Sequence, residues 1–325
     1  MAIDSPQDTR AGILPPGFNV ENVPVGTGRP TREELLAHYP AKFTWTQLKT
    51  FVNSGDLGLL KRDKKLQLRY KVWSQEIHAQ YGGTINYLLY HRLQWGKPDS
   101  LSLLPSRLVN STSDGNVVPR SAALPDGSVK SELPPIPADA PTYFTTDTPS
   151  ELISIIMNDW PYSGEDPYLE YPSFKHMRLT TGDVILVPPE IEHALVWTRL
   201  PVIPPDLPSS VAPRILQDGL WGFTGLTSPP PSPSLLPQTL PALSDWGVTM
   251  DHLVRSPRGT DEEEELVRKA GEEVSKFIKA RWVEQEWETA WFVNPPRLQS
   301  VPGLAHIHVF ARHKSPEENS LPVLS

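Results

Sequence analysis

The chain has no cysteine. Disulfides, thiolate metal sites and a cysteine nucleophile are therefore excluded together. No run approaches the roughly 18 uninterrupted apolar residues of a membrane span. Met1 to Arg10 lacks the basic start and apolar stretch of a secretion signal, so a cytoplasmic location is expected. There is no phosphate-cradling glycine loop, no His-Glu-x-x-His pair and no internal repeat. The formal net charge of −8 gives the molecule as a whole no attraction to phosphate backbones.

What is present is enough to fold. Hydrophobic residues make up 38% of the 325, with 10 Trp, 9 Tyr and 9 Phe, so a buried core is expected. The 37 prolines are about twice the ordinary share. They concentrate in a few stretches, which marks those stretches as connections. Residues 1–30 read as a flexible tail, and 31–325 as one α+β domain. Within it, 31–95 is helical, 96–148 is a Ser/Pro-rich connection, and 149–325 is a sheet-and-helix part with a Pro-rich insertion at 201–245.

Periodicity supplies the elements. Thr31 to Leu36 reads as a short capped helix, and Thr44 to Asn53 as a second helix. Leu66, Tyr70, Trp73 and Ile77 share one face of a third helix, over 63–81, which Gly82-Gly83 stops. Ile85 to Leu93 is a further short helix. Leu152 to Ile156, Asp183 to Val187, Ala194 to Thr198, Trp291 to Val293 and His306 to Phe310 are strand candidates. Eleven prolines between Pro201 and Pro241 argue against regular structure there. Thr260 with Glu263 makes a capping box, after which Leu266, Val267, Ala270, Val274, Phe277, Ile278 and Trp282 form one apolar stripe. The fold expected is a helical N-terminal half feeding a small, mostly antiparallel sheet packed on one long helix.

Three separated segments, 158–162, 193–199 and 306–312, are expected to build the working site. On a strand, His306 and His308 point to the same side. Paired imidazoles suit proton transfer, nucleophilic attack or ligation, and equally suit core hydrogen bonding. With no cysteine to complete a zinc set, no metal and no cofactor are expected. Asn158, Asp159, Trp160 and Tyr162 follow directly on an apolar run, a placement that suits a pocket wall or a structural turn. His193 enters an apolar strand and Arg199 leaves it, where a guanidinium can hold a carboxylate or phosphate or simply be solvated. Asp261, Glu262 and Glu265 favour the helix dipole at their end of the helix. Asp261 and Glu265 also share a face and can grip a guanidinium or an amine. Lys61, Arg62, Lys64, Lys65 and Arg69 make the one basic stretch that suits a nucleic-acid contact, with a solvated helix face as the alternative.

Several of these motifs occur in a recognisable order: Phe43 to Leu48, Lys61-Arg62 with Tyr70, Asn158 to Tyr162, His193 to Arg199, Trp291 to Asn294 and His306 to Val309. Together they resemble the fungal family labelled N-acetylglucosamine-induced protein, over about residues 40–95 and 150–313. That family includes arginine-containing cyclodipeptide synthases. The resemblance implies a cytoplasmic, tRNA-dependent aminoacyltransferase of secondary metabolism, with Arg-tRNA and a second aminoacyl-tRNA as partners, and no membrane or stable protein partner. It further implies an Asp-Asp-x-x-Glu motif tied to activity, matched by Asp261 to Glu265 with Glu262 in the second Asp position. Asp261, Glu262, Glu265, Asp159, His193 and His308 would then be catalytic. Asn158, Trp160, Tyr162, Arg199 and His306 would bind substrate, and the basic stretch would meet tRNA. Ser163 stands where the family usually has Gly, and the Pro-rich insertion marks a divergent member. A weaker analogy is to the histidine-triad nucleotide enzymes, in which His308 would attack a phosphate, although Phe310 holds the third histidine's place. A non-catalytic regulatory protein is the remaining alternative.

Overall fold

A computed structural model describes residues 19–26, 34, 37–38, 43–56, 64–93, 95, 135–157, 191–246, 248–299, 301 and 304–324. Helix α1 spans Trp45–Ser54, α2 Lys64–Tyr81 and α3 Thr84–Tyr87, the last continuing as a π-turn over Leu88–Arg92. Strand β1 is Ile153–Met157 and β2 Ile191–Thr198. Helix α4 (Ala212–Asp218), strand β3 (Leu220–Thr224) and the short α5 (Leu236–Thr239) follow. Helices α6 (Asp261–Ala270) and α7 (Glu272–Arg281) precede β4 (Trp287–Val293), β5 (Ala305–His313) and the single turn α8 (Pro316–Asn319).

The strands form one antiparallel sheet in the order β1-β2-β5-β4-β3. The α+β expectation stands. The chain order of the strands and their spatial order differ because β5, the last in sequence, inserts between β2 and β4. Side chains alternate between the two faces. One face carries Ile156, His193, Leu195, Trp197, His306, His308, Phe310, Ala290 and Phe292; the other carries Ala194, Val196, Ile307, Val309, Trp291 and Val293.

Each face buries a different layer. Over the histidine-bearing face, Leu48, Phe51 and Val52 of α1 and Leu236, Leu240 and Leu243 cover the β4 side. Ile77, Tyr87 and Leu88 of the N-terminal helices cover the β1 side. Val274, Ile278 and Trp282 of α7, with Ile215 of α4, pack on the opposite face. Burying an aliphatic or aromatic side chain of this kind contributes about 1.5–3 kcal/mol each, so both layers are needed to hold the sheet.

Local signals explain the helix ends. Thr44 caps α1 through a reciprocal box with Gln47, and Gly55 ends it at φ 73°. Gly55 is also a close approach: a Cβ there would lie 2.7 Å from the Trp221 ring on β3. Thr260 and Glu263 form the expected capping box of α6.

Two expectations differ from the structure. The stripe from Leu266 to Trp282 is carried by two helices broken at Gly271, where the ring of Trp291 leaves no room for a side chain (a Cβ would sit 2.9 Å from it). The Pro-rich stretch holds α4 and the edge strand β3. Pro213 sits at the start of α4, where a missing N–H costs nothing, and the segment 214–228 that carries β3 is free of proline. The strand expected over 183–187 lies outside the described residues.

Candidate functional site

The sheet order brings two of the three expected segments into contact. Met157, the last residue of β1, pairs with Ala194 of β2, next to His193. Asn158, Asp159, Trp160 and Tyr162 follow in sequence but lie outside the described residues. On β2 and β5, His193 stands opposite Phe310, Leu195 opposite His308, and Trp197 opposite His306.

The three histidines form one buried row. His193 Nε2 is 3.1 Å from His308 Nδ1. Asn294, at the end of β4, approaches the other ring nitrogen of His308 from Nδ2 at 3.5 Å. A consistent arrangement has Asn294 donating to Nε2 of His308, and His308 Nδ1–H donating to His193. Aromatic faces clamp the imidazoles: Phe310 on His193 at 4.1 Å, Phe292 on His308 at 4.4 Å and Trp197 on His306 at 4.2 Å between centroids.

Burial keeps this row neutral. All three rings are nearly without solvent exposure. Desolvation, then the neighbouring His306, lowers His193 well below the usual imidazole range. Desolvation, then His306 and His193, does the same to His308. His306 is lowered to about 4, by desolvation against a partly opposing backbone bond at Leu304. Neutral imidazoles can accept a proton and pass one along; they cannot serve as cationic phosphate clamps.

Beside the row lies a buried ionic network that links the N- and C-terminal parts of the domain. Glu288 Oε2 accepts from Trp45 Nε1 at 2.6 Å, from Arg312 at 2.8 Å and from Lys49 at 3.4 Å. Arg312 also bridges to Glu318 of α8. Desolvation raises Glu288, but Lys49 and Arg312 outweigh it and the net shift is downward. Arg312, the end of the third expected segment, is thus a structural cation within this network.

The acidic run stands elsewhere. Leu266, Val267 and Ala270 of α6 pack on the face opposite the histidines. Asp261 is exposed and pairs with Arg258 at 3.3 Å. Glu265 is engaged by Arg268 and Lys269. Glu262 is held low by its backbone bond and by Thr260. Glu264, which the sequence did not single out, makes a two-pronged bridge to Arg214 at 2.7 and 2.9 Å. The sheet therefore separates Asp261, Glu262 and Glu265 from His193 and His308.

Of the basic stretch, Lys64 and Lys65 open α2, while Lys61 and Arg62 lie outside the described residues. Arg69 faces inward, in an ion pair with buried Glu34. Arg199 leaves β2 into a cleft of its own. Asn294 was legible only as part of the Trp291-Phe292-Val293-Asn294 motif, and its role emerges from the β4–β5 register. Among the described residues, no group of three or more His, Asp or Glu is arranged to hold a metal ion, and no helix is long and apolar enough to cross a membrane.

A family model described as a protein of unknown function, DUF3605, matches residues 44–168 and 252–312. The chain belongs to that family. The DUF3605 spans take in α1, β1, α6, β4 and β5, and with them the motifs at 158–162, 261–265, 291–294 and 306–309. They leave out β2 and the Pro-rich segment with α4 and β3. No curated protein and no solved structure matches the chain.

Proposed function

We propose that the chain is a tRNA-dependent cyclodipeptide synthase that joins an arginyl group to a second aminoacyl group. The observation that carries the reading is the neighbouring placement of β1, β2 and β5. It gathers the histidines beside the strand from which Asn158 to Tyr162 continue, the same motifs on which the family resemblance rests.

The chemistry asks little of the protein. An aminoacyl ester is already activated, so no nucleotide triphosphate site is needed. The α-amine of one aminoacyl group attacks the ester carbonyl of the other, forming a peptide bond and releasing a tRNA hydroxyl. The remaining amine then closes on the remaining ester, and the second tRNA leaves. Each step moves one proton from the attacking amine to the departing oxygen, and holding the two groups together supplies much of the rate. In this reading the neutral His193–His308 pair, fixed by Asn294, takes up and returns that proton through the substrate-facing groups of 158–162. Asn158 or Tyr162 would steady the oxyanion, and Asp159 would hold or deprotonate the amine. Lys61, Arg62, Lys64 and Lys65 would meet tRNA phosphates.

The histidine-triad analogy is not favoured. Phe310 stands where that triad has its third histidine.

The test is mass spectrometry of small molecules from cells expressing the chain, beside a His308→Ala control. A new mass equal to arginine plus one amino acid minus two waters, absent from the control, supports the reading and names the second residue. Its absence from cells holding folded protein would overturn it.

A further inference from the structure

A cleft of about 540 Å³ opens where β2 ends, away from the histidine row. Among the described residues its walls are mostly apolar, including Val202, Ile203, Leu216 and Val293, and its polar side chains are Arg199 and Gln299. Arg199 is half-buried, and its backbone N–H is held by Leu152 O at 3.0 Å. Its guanidinium has no hydrogen-bond or ion-pair partner among the described residues. Two other part-buried arginines are met by carboxylates, Arg214 by Glu264 and Arg312 by Glu288 and Glu318.

A partly desolvated guanidinium without a counter-charge among the described residues, set at an apolar cleft, is complementary to one kind of ligand. Its five donors match a carboxylate or phosphate in a two-pronged geometry. The apolar walls offer favourable burial to whatever is attached to that head. Leu216 is 50% exposed, an apolar side chain left at the cleft without cover of its own. The residues from 199 to 216 that supply Arg199 and most of the walls fall outside the DUF3605 match, whereas Val293 belongs to a matched strand. The cleft thus joins a segment outside the match to a strand within it.

We infer that the Arg199 cleft is a binding site for a small amphipathic anion, with a single carboxylate or phosphate head on Arg199 and an apolar body along Val202, Ile203 and Leu216. The inference is independent of the synthase reading, because it requires no aminoacyl transfer.

Titration calorimetry with octanoate, octyl phosphate, octanol and acetate tests it on the full chain. Octanoate or octyl phosphate, or both, should bind one to one, and the better of the two identifies the head. Octanol and acetate, each lacking one half of the ligand, should bind about tenfold more weakly or worse, the scale of a hydrogen bond to a charged group. Arg199→Gln should reduce the anion's affinity to the level of octanol. Leu216→Asp changes an exposed position, so folding should be retained, and it sets a charge where the apolar body should lie; it should weaken the anion by about tenfold or more as well. Equal binding of octanol and octanoate, no binding by either anion, or unchanged binding in folded Leu216→Asp would each overturn the inference.

Discussion

His193 Nε2 and His308 Nδ1 lie 3.1 Å apart, although 115 residues separate them in sequence. They are diagonal neighbours on β2 and β5, and Asn294, just past the end of β4, completes the line. The contact locks the tautomer of a neutral pair, so a change at either ring alters the proton position at the other.

His308→Ala should abolish cyclodipeptide formation, since it breaks the line on both sides. The cavity will also destabilise the sheet, so the decisive comparison is His308→Gln, which keeps polar reach but cannot relay a proton. Loss of product from well-folded His308→Gln, read by mass spectrometry with circular dichroism alongside, is the expected result. Full activity in that variant would remove the pair from the mechanism.

Acid should unfold the protein through these rings. In the unfolded chain a histidine titrates near 6.5, whereas His306 in the fold is lowered to about 4. Above about pH 6.5 neither state binds the proton and the stability is fully present. Between 6.5 and about 4 the unfolded state takes the proton first, so stability falls as pH falls. That interval corresponds to about 3 kcal/mol from His306 alone, and His193 and His308 act in the same direction. Urea unfolding at pH 7.5 and 4.5 should reveal the loss. His306→Phe, which keeps the stacking on Trp197, should show a smaller difference between the two pH values.

Glu288→Ala should cost about 3–5 kcal/mol, because it leaves Lys49 buried without its carboxylate and takes from Arg312 one of its two carboxylate partners. Its folded value is depressed, so its own contribution is present above the ordinary carboxylate range and disappears as pH falls through that range. Chemical denaturation at neutral pH reads the first effect. A Lys49→Met, Glu288→Gln double variant should be less destabilised than Glu288→Ala.

Asp261→Ala and Glu265→Ala should leave stability nearly unchanged, as expected for exposed pairs at a helix start. Product should persist in both, since the sheet stands between these carboxylates and the histidines. Loss of product at unchanged stability would instead place arginine recognition on the outer surface of α6. Thermal melts and product assays on the same preparations separate the two outcomes.

Local chemistry was legible where it is self-contained. The Thr44 and Thr260 caps, the Gly82-Gly83 stop and the alternation that puts His306 with His308 need only near neighbours in sequence. The break at Gly271 was not legible, because an unbroken stripe of apolar residues hides it, and the Trp291 ring that leaves no room for a side chain there comes from a distant strand. Strand β3 was hidden by proline counts taken over a stretch whose middle has none. The basic character of Arg69 suggested a surface, but Glu34 draws it inward.

From the residues alone came the α+β class, most of the helices and strands, and the three segments expected to converge. The pairing of strands was decided by the tertiary structure. Inserting β5 between β2 and β4 lets Phe310 and Phe292 meet the α1 layer while Val309 and Ile307 meet α7. The same insertion sets His308 between His193 and Asn294. It also leaves the acidic helix on the other side of the sheet, because the apolar stripe of α6 and α7 has to bury itself against that face, and charge at the helix start is then left to solvent and to nearby arginines such as Arg214 and Arg258.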